Sequence, residues 1–218
     1  MSVSDEQGVR PAATPAISGI ADPAPLGLAA FALTTFLLSA KNADWMSHSS
    51  TLSFLGYAFA YGGLCQLLAG MWEFRNRNVF GATAFSSYGG FWIGLYLWVK
   101  DVGGGLLATK TPLGVAQFNH DLGWILLAFA IFNTYMLIMS TQVNLAVFAV
   151  FLTLELTEIL GAAANFTAGS HANPTGFVEV SGYVGIITAL CAWYASAAGV
   201  ANGQAGRIRL PVGKPLLG

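Results

Sequence analysis

Charged residues are scarce in this sequence. They make up 9% of its 218 residues, and the formal net charge is −1, whereas a soluble domain carries about a quarter charged residues. Hydrophobic residues account for 55% of the chain. A nucleic-acid-binding protein needs a basic surface, and so few positive charges do not provide one. The composition therefore argues against a nucleic-acid partner and indicates an integral membrane protein.

The sequence also lacks the patterns that metal sites and catalytic centres require. Cys65 and Cys191 lie in apolar stretches without metal-type spacing, which is typical of small buried side chains. His48, His120 and His171 lie in or beside predicted loops, without a second ligand at metal spacing. There is no Gly-x-Ser-x-Gly nucleophile pattern. We therefore predict no metal site, no cofactor and no enzymatic activity.

The hydrophobic residues fall into six stretches. A membrane-spanning helix needs roughly 20 mostly apolar residues, because its backbone polar groups must be satisfied within the segment. The six stretches are residues 25–40, 52–72, 79–99, 122–139, 145–166 and 177–201. The longest connection, residues 100–120, contains three consecutive glycines and a proline, and we interpret it as a loop with one interfacial turn. The fold class predicted is an all-α polytopic membrane protein with six transmembrane helices.

The distribution of Lys and Arg predicts the orientation, since positive charges near helix ends are retained in the cytoplasm. With the N-terminus inside, the cytoplasmic segments hold Arg10, Arg75, Arg77, Arg207, Arg209 and Lys214, and the outer loops hold Lys41, Lys100 and Lys110. Both termini are therefore expected in the cytoplasm, and the protein in the plasma or inner cell membrane. Residues 1–21, polar and rich in Pro and Ala, predict a disordered tail. Residues 22–202 then form the transmembrane domain, and residues 203–218 a second cytoplasmic tail.

Two glutamates, Glu155 and Glu158, lie in the middle of the fifth predicted span. An ionisable group at that depth costs several kcal/mol unless it faces protein or a water-filled cavity. Their spacing of three residues places both on one side of the helix, so we expect them in a pore wall or a subunit contact. Neighbouring carboxyl groups away from water favour protonation of one of them, which makes the pair a candidate for carrying protons. Alternatively, they hydrogen-bond across a subunit interface and never meet a solute.

No Lys or Arg lies in the middle of a predicted span. A small acid must therefore cross either as the neutral acid or as an anion held by hydroxyl, amide and backbone N–H donors. Uncharged donors are available within the spans, at Thr34, Thr35, Ser39, Gln66, Ser86, Ser87, Tyr88, Thr153, Thr157 and Asn165. The spans thus contain the groups needed for a polar path across the membrane.

Several motifs resemble those of one transporter family. The run ADPAPLGLAAFALTT at residues 21–35 resembles the Asn-Pro-Ala-Pro-Leu-Gly signature that opens the acetate uptake transporter family, also called GPR/FUN34/YaaH. Further similar positions are Tyr61-Gly62-Gly63, Gln66, Ala69-Gly70, Glu73, Asn78, Phe80-Gly81, Thr83-Ala84-Phe85, Ser87-Tyr88-Gly89 and Phe91-Trp92. The similarity continues through Asn165 and residues 207–211, and so covers nearly the whole chain beyond residue 20.

The resemblance implies a six-helix protomer, assembled as a hexamer with one pore in each protomer for small monocarboxylates. In that family a Phe, a Tyr and a Leu form a narrow apolar constriction, and the matching positions are Phe31, Tyr88 and Leu154. Such a ring resists a hydrated ion and lets a methyl-bearing acid pass. The family's hydrogen-bonding positions correspond to Thr34, Thr35, Gln66 and Asn165, with Asn42 as a further candidate.

The resemblance also assigns an entrance motif. It consists of Asp22, Pro23, Pro25 and Gly27, with Pro25 at a helix start and Asp22 near its cap. Asp22 stands where the family has Asn. Glu155 and Glu158 stand where the family more often has neutral residues, which could change proton coupling, the solute or the assembly contact.

The leading prediction is a permease or channel for acetate and related short carboxylates such as propionate and succinate, with or without proton coupling. The alternative is a channel for a small neutral or cationic solute, such as ammonia or urea, which the mid-membrane carboxylates favour. A membrane enzyme or sensor is a third class, and the missing catalytic patterns argue against it.

Overall fold

The computed structural model describes residues 19–46, 53–170 and 176–217, and its regular elements are helical throughout these ranges. Within the described residues, eight α-helices and two π-helical segments follow one another. The α-helices are α1 (Ala24–Asn42), α2 (Leu55–Tyr57), α3 (Gln66–Arg75), α4 (Val79–Trp98), α5 (Gly104–Ala108), α6 (Pro112–Ser140), α7 (Leu145–Ala168) and α8 (Phe177–Gly203). The first π segment (Ala58–Cys65) joins α2 to α3, and the second (Val99–Gly103) joins α4 to α5. Most of the tail predicted at residues 1–21, together with His48 and His171, lies outside the described residues.

The first helix begins where the motif predicted. The Asp22 Oδ1 atom accepts a hydrogen bond from the Ala24 backbone N–H at 2.9 Å, and Pro25 lies in the first turn, where its missing N–H costs nothing. A glycine is needed at position 27 because α4 packs closely against α1 at this point. A Cβ atom on Gly27 would lie 2.7 Å from the Phe85 ring, so only glycine lets that ring reach α1.

The second predicted span is one continuous helical run with an internal π segment. It extends from Leu55 to Arg75 through α2, the first π segment and α3, whereas Leu52 lies outside the described residues. Gly62 lies in the π segment, and a Cβ atom there would come within 2.6 Å of the Thr34 side chain. The small residue therefore permits close packing of this run on α1.

The prediction of a loop over residues 100–120 is wrong. This region forms the second π segment, α5 and the first turns of α6, which begins at Pro112 and not at residue 122. The Thr111 hydroxyl accepts a hydrogen bond from the Gly114 N–H at 3.1 Å, and Pro112 fills the first helical position. His120 consequently lies within α6 and not in or beside a loop.

Four helices are long and apolar enough to cross a membrane, by length and composition, among the residues that the structure describes: α1, α6, α7 and α8. Helix α4 has 20 residues and is not among these four. The run from α2 to α3 is interrupted by its π segment. The chain is thus a multi-pass membrane protein, and the count of six spans stays a prediction.

The helices pack around a core that α1, α4 and α7 share. Helix α1 packs against α8, the first π segment and α3, whereas α7 packs between α6 and α8. Helix α4 packs mainly on α3 and the first π segment. Buried apolar side chains from α1, α4 and α7 form one cluster in the middle of the bundle, which places these three helices around the candidate site.

Candidate functional site

Two cavities enter the bundle from opposite ends. The first has a volume of about 170 Å³ and includes residues from the last turns of α1 and α7 and the first turns of α6 and α8. The second has a volume of about 360 Å³ and includes residues from the first turns of α1, α4 and α7 and the last turns of α8. Each helix that contributes to both cavities runs from one cavity to the other, so the two cavities lie at opposite ends of the bundle.

The three residues predicted as a constriction lie together at the first cavity. Phe31, Tyr88 and Leu154 all line it, and all three are buried in the same core cluster. The Phe31 and Tyr88 rings meet edge to face, with centroids 5.6 Å apart. These residues come from the middle of α1, α4 and α7, which places them near the midpoint of the bundle.

A second apolar layer lies one helical turn away and was not predicted. Leu28, Phe85 and Phe151 line the second cavity, and each precedes a residue of the predicted constriction by three positions on the same helix. Three residues of α-helix span about 4.5 Å along its axis. Two stacked apolar layers therefore separate the two cavities. The three-residue spacing on three helices is the sequence signal that could have identified the second layer.

The first cavity carries charge and amide groups at its outer end. Lys41 and Asn42 come from the end of α1, Asn165 from the end of α7 and Asn119 from α6. The Asn119 Nδ2 atom donates to the Gly169 carbonyl at 2.9 Å, and the Asn165 Nδ2 atom donates to the Gly161 carbonyl at 2.8 Å. A cation together with amides suits the capture of a small polar or anionic solute.

Polar atoms without partners lie deeper in the same cavity. The Thr35 Oγ1, Trp92 Nε1 and Glu158 Oε2 atoms are buried without a hydrogen-bond partner, and all three residues line the first cavity. Buried polar groups are usually satisfied. An indole N–H, a hydroxyl and a carboxyl group in one cavity can together donate to and accept from a carboxylic acid.

The predicted hydrogen-bonding residues divide into two groups. Thr35, Asn42 and Asn165 line the first cavity. Thr34 is fully buried, and its hydroxyl donates to the Ala30 carbonyl of α1 at 2.9 Å. Gln66 is also buried, with an Oε1 atom that has no partner. Neither Thr34 nor Gln66 lines either cavity, so the structure does not bring these two residues to the candidate site.

The entrance motif lies at the second cavity. Asp22 and Pro25 line it, together with amide side chains of Asn76, Asn78, Asn144 and Asn202. Pro23 precedes α1 as its N-cap, and Gly27 provides the close contact with Phe85 described above. The Ser196 hydroxyl donates to the Pro25 carbonyl at 2.7 Å, which fixes the start of α1 against α8.

The two glutamates of α7 have different surroundings. Glu158 is only 5% exposed and lines the first cavity. Glu155 instead contacts α6, where its carboxylate accepts hydrogen bonds at 2.7 Å from Asn133 Nδ2 and from the Thr134 hydroxyl. Asn133 was missed from the sequence. Glu73, which the sequence identified only as a position similar to the family, is fully buried and accepts a hydrogen bond from Asn76 Nδ2 at 3.1 Å. Within the described ranges no group of three His, Cys, Asp or Glu residues could hold a metal ion.

These features define a class of protein: a polytopic helical membrane protein with a polar cavity at each end of its helix bundle. Comparison with known proteins agrees, because the profile of the GPR1/FUN34/yaaH family matches residues 6–214. The chain belongs to the GPR1/FUN34/yaaH family.

Relatives and a solved structure support this assignment. Acetate permease A of Emericella nidulans is 40% identical over 88% of this chain, which spans 65% of that protein's length. Ammonia transport outward protein 2 of Saccharomyces cerevisiae is 38% identical over 90% of this chain and 67% of its own length. The succinate-acetate/proton symporter SatP of Escherichia coli is 33% identical over 89% of this chain and 96% of its own length.

The solved structure is that of the bacterial acetate channel SatP. It matches with a TM-score of 0.74 and 32% identity, and it covers 89% of this chain and 99% of the SatP chain. The relatives are named for transport, which confirms the prediction that the chain is not an enzyme. The match also confirms the helical membrane fold.

Proposed function

We propose that this protein is a permease or channel for acetate and related short carboxylates such as propionate and succinate. The observation that carries the proposal is the pair of cavities that meet at two stacked apolar layers, with polar groups on both sides. Acetate has a carboxyl end that suits the polar cavities and a methyl end that suits the apolar layers. A fully hydrated ion would lose its water at the layers without compensation.

Acetate is expected to enter through the first cavity. Lys41 and the amides of Asn42 and Asn165 attract it at the outer end, and the Trp92 N–H and Thr35 hydroxyl offer donors deeper in the cavity. Glu158 lies beside the floor of the cavity, where a carboxylate leaving water gains from receiving a proton. Glu158 is therefore the candidate proton-carrying residue of the predicted pair, and Glu155 is placed in a contact between α6 and α7.

The remaining features follow the family resemblance. We propose six transmembrane helices at residues 22–202, with both termini in the cytoplasm, and cytoplasmic tails at residues 1–21 and 203–218. The run from α2 to α3 and helix α4 then supply the two spans beyond the four most apolar helices. A homo-hexamer with one path per protomer, in the cell membrane, completes the proposal.

Uptake of labelled acetate into liposomes containing the purified protein tests this function. Uptake above that of empty liposomes is expected, with competition by propionate and loss when Leu154→Trp fills the constriction. Leu156→Trp is the matched control, because Leu156 is 48% exposed on the same helix. An imposed pH gradient that drives accumulation would establish proton coupling, whereas equilibration would indicate a channel. No uptake above empty liposomes would overturn the proposal.

Ammonia is the second candidate solute, since one relative is named for ammonia transport and a carboxyl group lines the first cavity. A pH-sensitive dye trapped in the liposomes separates the two solutes. Entry of ammonia makes the interior more alkaline, whereas entry of acetic acid makes it more acidic. Protein-dependent alkalinisation with ammonium salts, without protein-dependent acetate uptake, would favour ammonia.

A further inference from the structure

The constriction tyrosine is held by a buried asparagine that no motif identified. The Tyr88 hydroxyl donates to the Asn133 Oδ1 atom at 2.9 Å. Asn133 lies in α6, is 0% exposed and does not line either cavity. Its side chain therefore reaches the path through the Tyr88 hydroxyl and, at the second apolar layer, through the backbone carbonyl of Phe151.

The other partners of Asn133 fix which way its amide points. The Nδ2 atom donates to the Phe151 carbonyl at 3.0 Å and to Glu155 Oε2 at 2.7 Å. The carbonyl can only accept, and a carboxylate can also only accept. The amide nitrogen must therefore face α7, which leaves the Oδ1 atom, an acceptor without hydrogen, to face Tyr88.

This orientation determines what Tyr88 can offer to a solute. A phenol has one hydrogen to donate, and here that hydrogen is directed at Asn133. The remaining capacity of the oxygen is to accept. A carboxylic acid can donate to it, whereas a carboxylate brings only acceptors and would be left unpaired at the apolar layer.

We propose that Asn133 is a positioning residue that keeps the Tyr88 hydrogen away from the path, so that the constriction passes the protonated acid in preference to the carboxylate. The inference rests on the proposed function, because it names the form of the solute that crosses. It also gives a role to Glu155, whose carboxylate holds the Asn133 amide in its orientation while Thr134 donates to the same carboxylate.

The titratable groups around Tyr88 fit this arrangement. Glu158 and Glu155 of α7 and Tyr135 of α6 are the titratable groups that act on Tyr88, and Glu158 is a second possible hydrogen-bond partner of its hydroxyl. An ionised Glu158 would compete with Asn133 for the single Tyr88 hydrogen, whereas a protonated Glu158 would not. Once Tyr88 has directed its hydrogen to Asn133, only a protonated Glu158 can hydrogen-bond to the same oxygen. Glu158 and the solute must therefore both be protonated to hydrogen-bond to the Tyr88 oxygen.

Charge movement distinguishes the two forms of the solute. The experiment measures initial acetate uptake into proteoliposomes, corrected for empty liposomes, with and without an inside-positive potassium diffusion potential of about 100 mV. Such a potential favours entry of one full negative charge by up to about 50-fold and does not act on a neutral acid. Wild-type uptake is expected to be unchanged by the potential. In Asn133→Leu the released Tyr88 hydrogen can turn to the path, and uptake is expected to rise several-fold under the potential.

Two further variants separate positioning from general damage. Thr134→Val removes the other donor to Glu155 without touching Tyr88 and should behave as wild type. Adding Tyr88→Phe to Asn133→Leu removes the hydroxyl and should abolish the response to the potential. A several-fold response of wild-type uptake to the potential would overturn the inference, and this measurement does not depend on any variant folding. An Asn133→Leu variant that takes up acetate but does not respond to the potential would also overturn it. Absence of any wild-type acetate uptake would instead overturn the proposed function itself.

Discussion

The Phe31 and Tyr88 rings meet edge to face with centroids 5.6 Å apart, and both line the floor of the first cavity. An edge-to-face pair fixes both rings, so the opening beside them depends on the third member of the layer. That member is Leu154 of α7, an aliphatic side chain in the same buried cluster. The size limit of the path should therefore be most easily changed at Leu154.

Leu154→Ala is expected to widen the constriction and raise the uptake of butyrate relative to acetate by about tenfold, since each methylene in an apolar pocket changes discrimination by that order. The measurement is paired uptake of labelled butyrate and acetate into proteoliposomes. Leu156→Ala, on the exposed side of α7, serves as the control and should leave the ratio unchanged. An unchanged ratio in Leu154→Ala would place the size limit elsewhere.

Much of this arrangement could be predicted from the sequence. Apolar stretches gave α1, α7 and α8 to within a few residues, because lipid imposes length and composition on such helices. The motif resemblance pointed to Phe31 and Tyr88, and the structure brings them together. The prediction for residues 100–120 failed because the glycines and polar residues there are typical of a loop. A Thr-Pro cap and packing against neighbouring helices keep this region helical.

Asn133 could not be found in the same way. It lies in an apolar stretch, and its partner Tyr88 is 45 residues away along the chain. The pairing exists only after α4, α6 and α7 have packed. Similarly, the spacing of Glu155 and Glu158 predicted that both face the same surface. Only the folded chain shows that Glu158 lines the cavity whereas Glu155 is hydrogen-bonded to α6.

Glu158→Gln should slow acetate uptake in a pH-dependent way. Gln keeps the size of the side chain but cannot exchange a proton, so a several-fold loss is expected near neutral pH, where most acetate needs a proton. The loss should shrink at mildly acidic pH, where more of the solute already carries one. The check is the initial uptake rate as a function of pH.

Glu155→Gln is the matched comparison for this experiment. Its amide oxygen can still accept the hydrogen bond from Asn133, and its amide nitrogen can donate to the Thr134 oxygen, whose hydrogen then goes to the Ala130 carbonyl. Its pH profile should therefore follow that of the wild type. Parallel profiles for the two glutamine variants would remove the proton-carrying role from Glu158.

Lys41→Gln should lower acetate uptake at low ionic strength. Lys41 lines the outer part of the first cavity, and long-range attraction of an anion is screened within about 10 Å at 0.1 M salt and about 3 Å at 1 M. Because only one steering charge is removed, acetate uptake is expected to fall about two- to threefold at low salt, with little difference at high salt. Lys100→Gln is the control, because Lys100 pairs with Asp101 at 3.6 Å and does not line either cavity. A loss independent of salt would mean that Lys41 acts through packing.

Gly27→Ala should destabilise the protein although alanine favours helices. The added methyl group would lie 2.7 Å from the Phe85 ring, and because that ring belongs to the buried core it cannot move aside freely. Overpacking of this kind costs about 1–3 kcal/mol, which corresponds to a fall in Tm of several degrees for a chain of this size.

Gly90→Ala tests the same change in α4 where a Cβ atom would meet nothing within 4 Å, and there the better helix propensity should hold or raise the Tm. Thermal unfolding in detergent, followed by tryptophan fluorescence, compares the two variants. Equal Tm values would show that α1 and α4 do not press together at Gly27, and the second apolar layer would then lack the tight contact on which its closure depends.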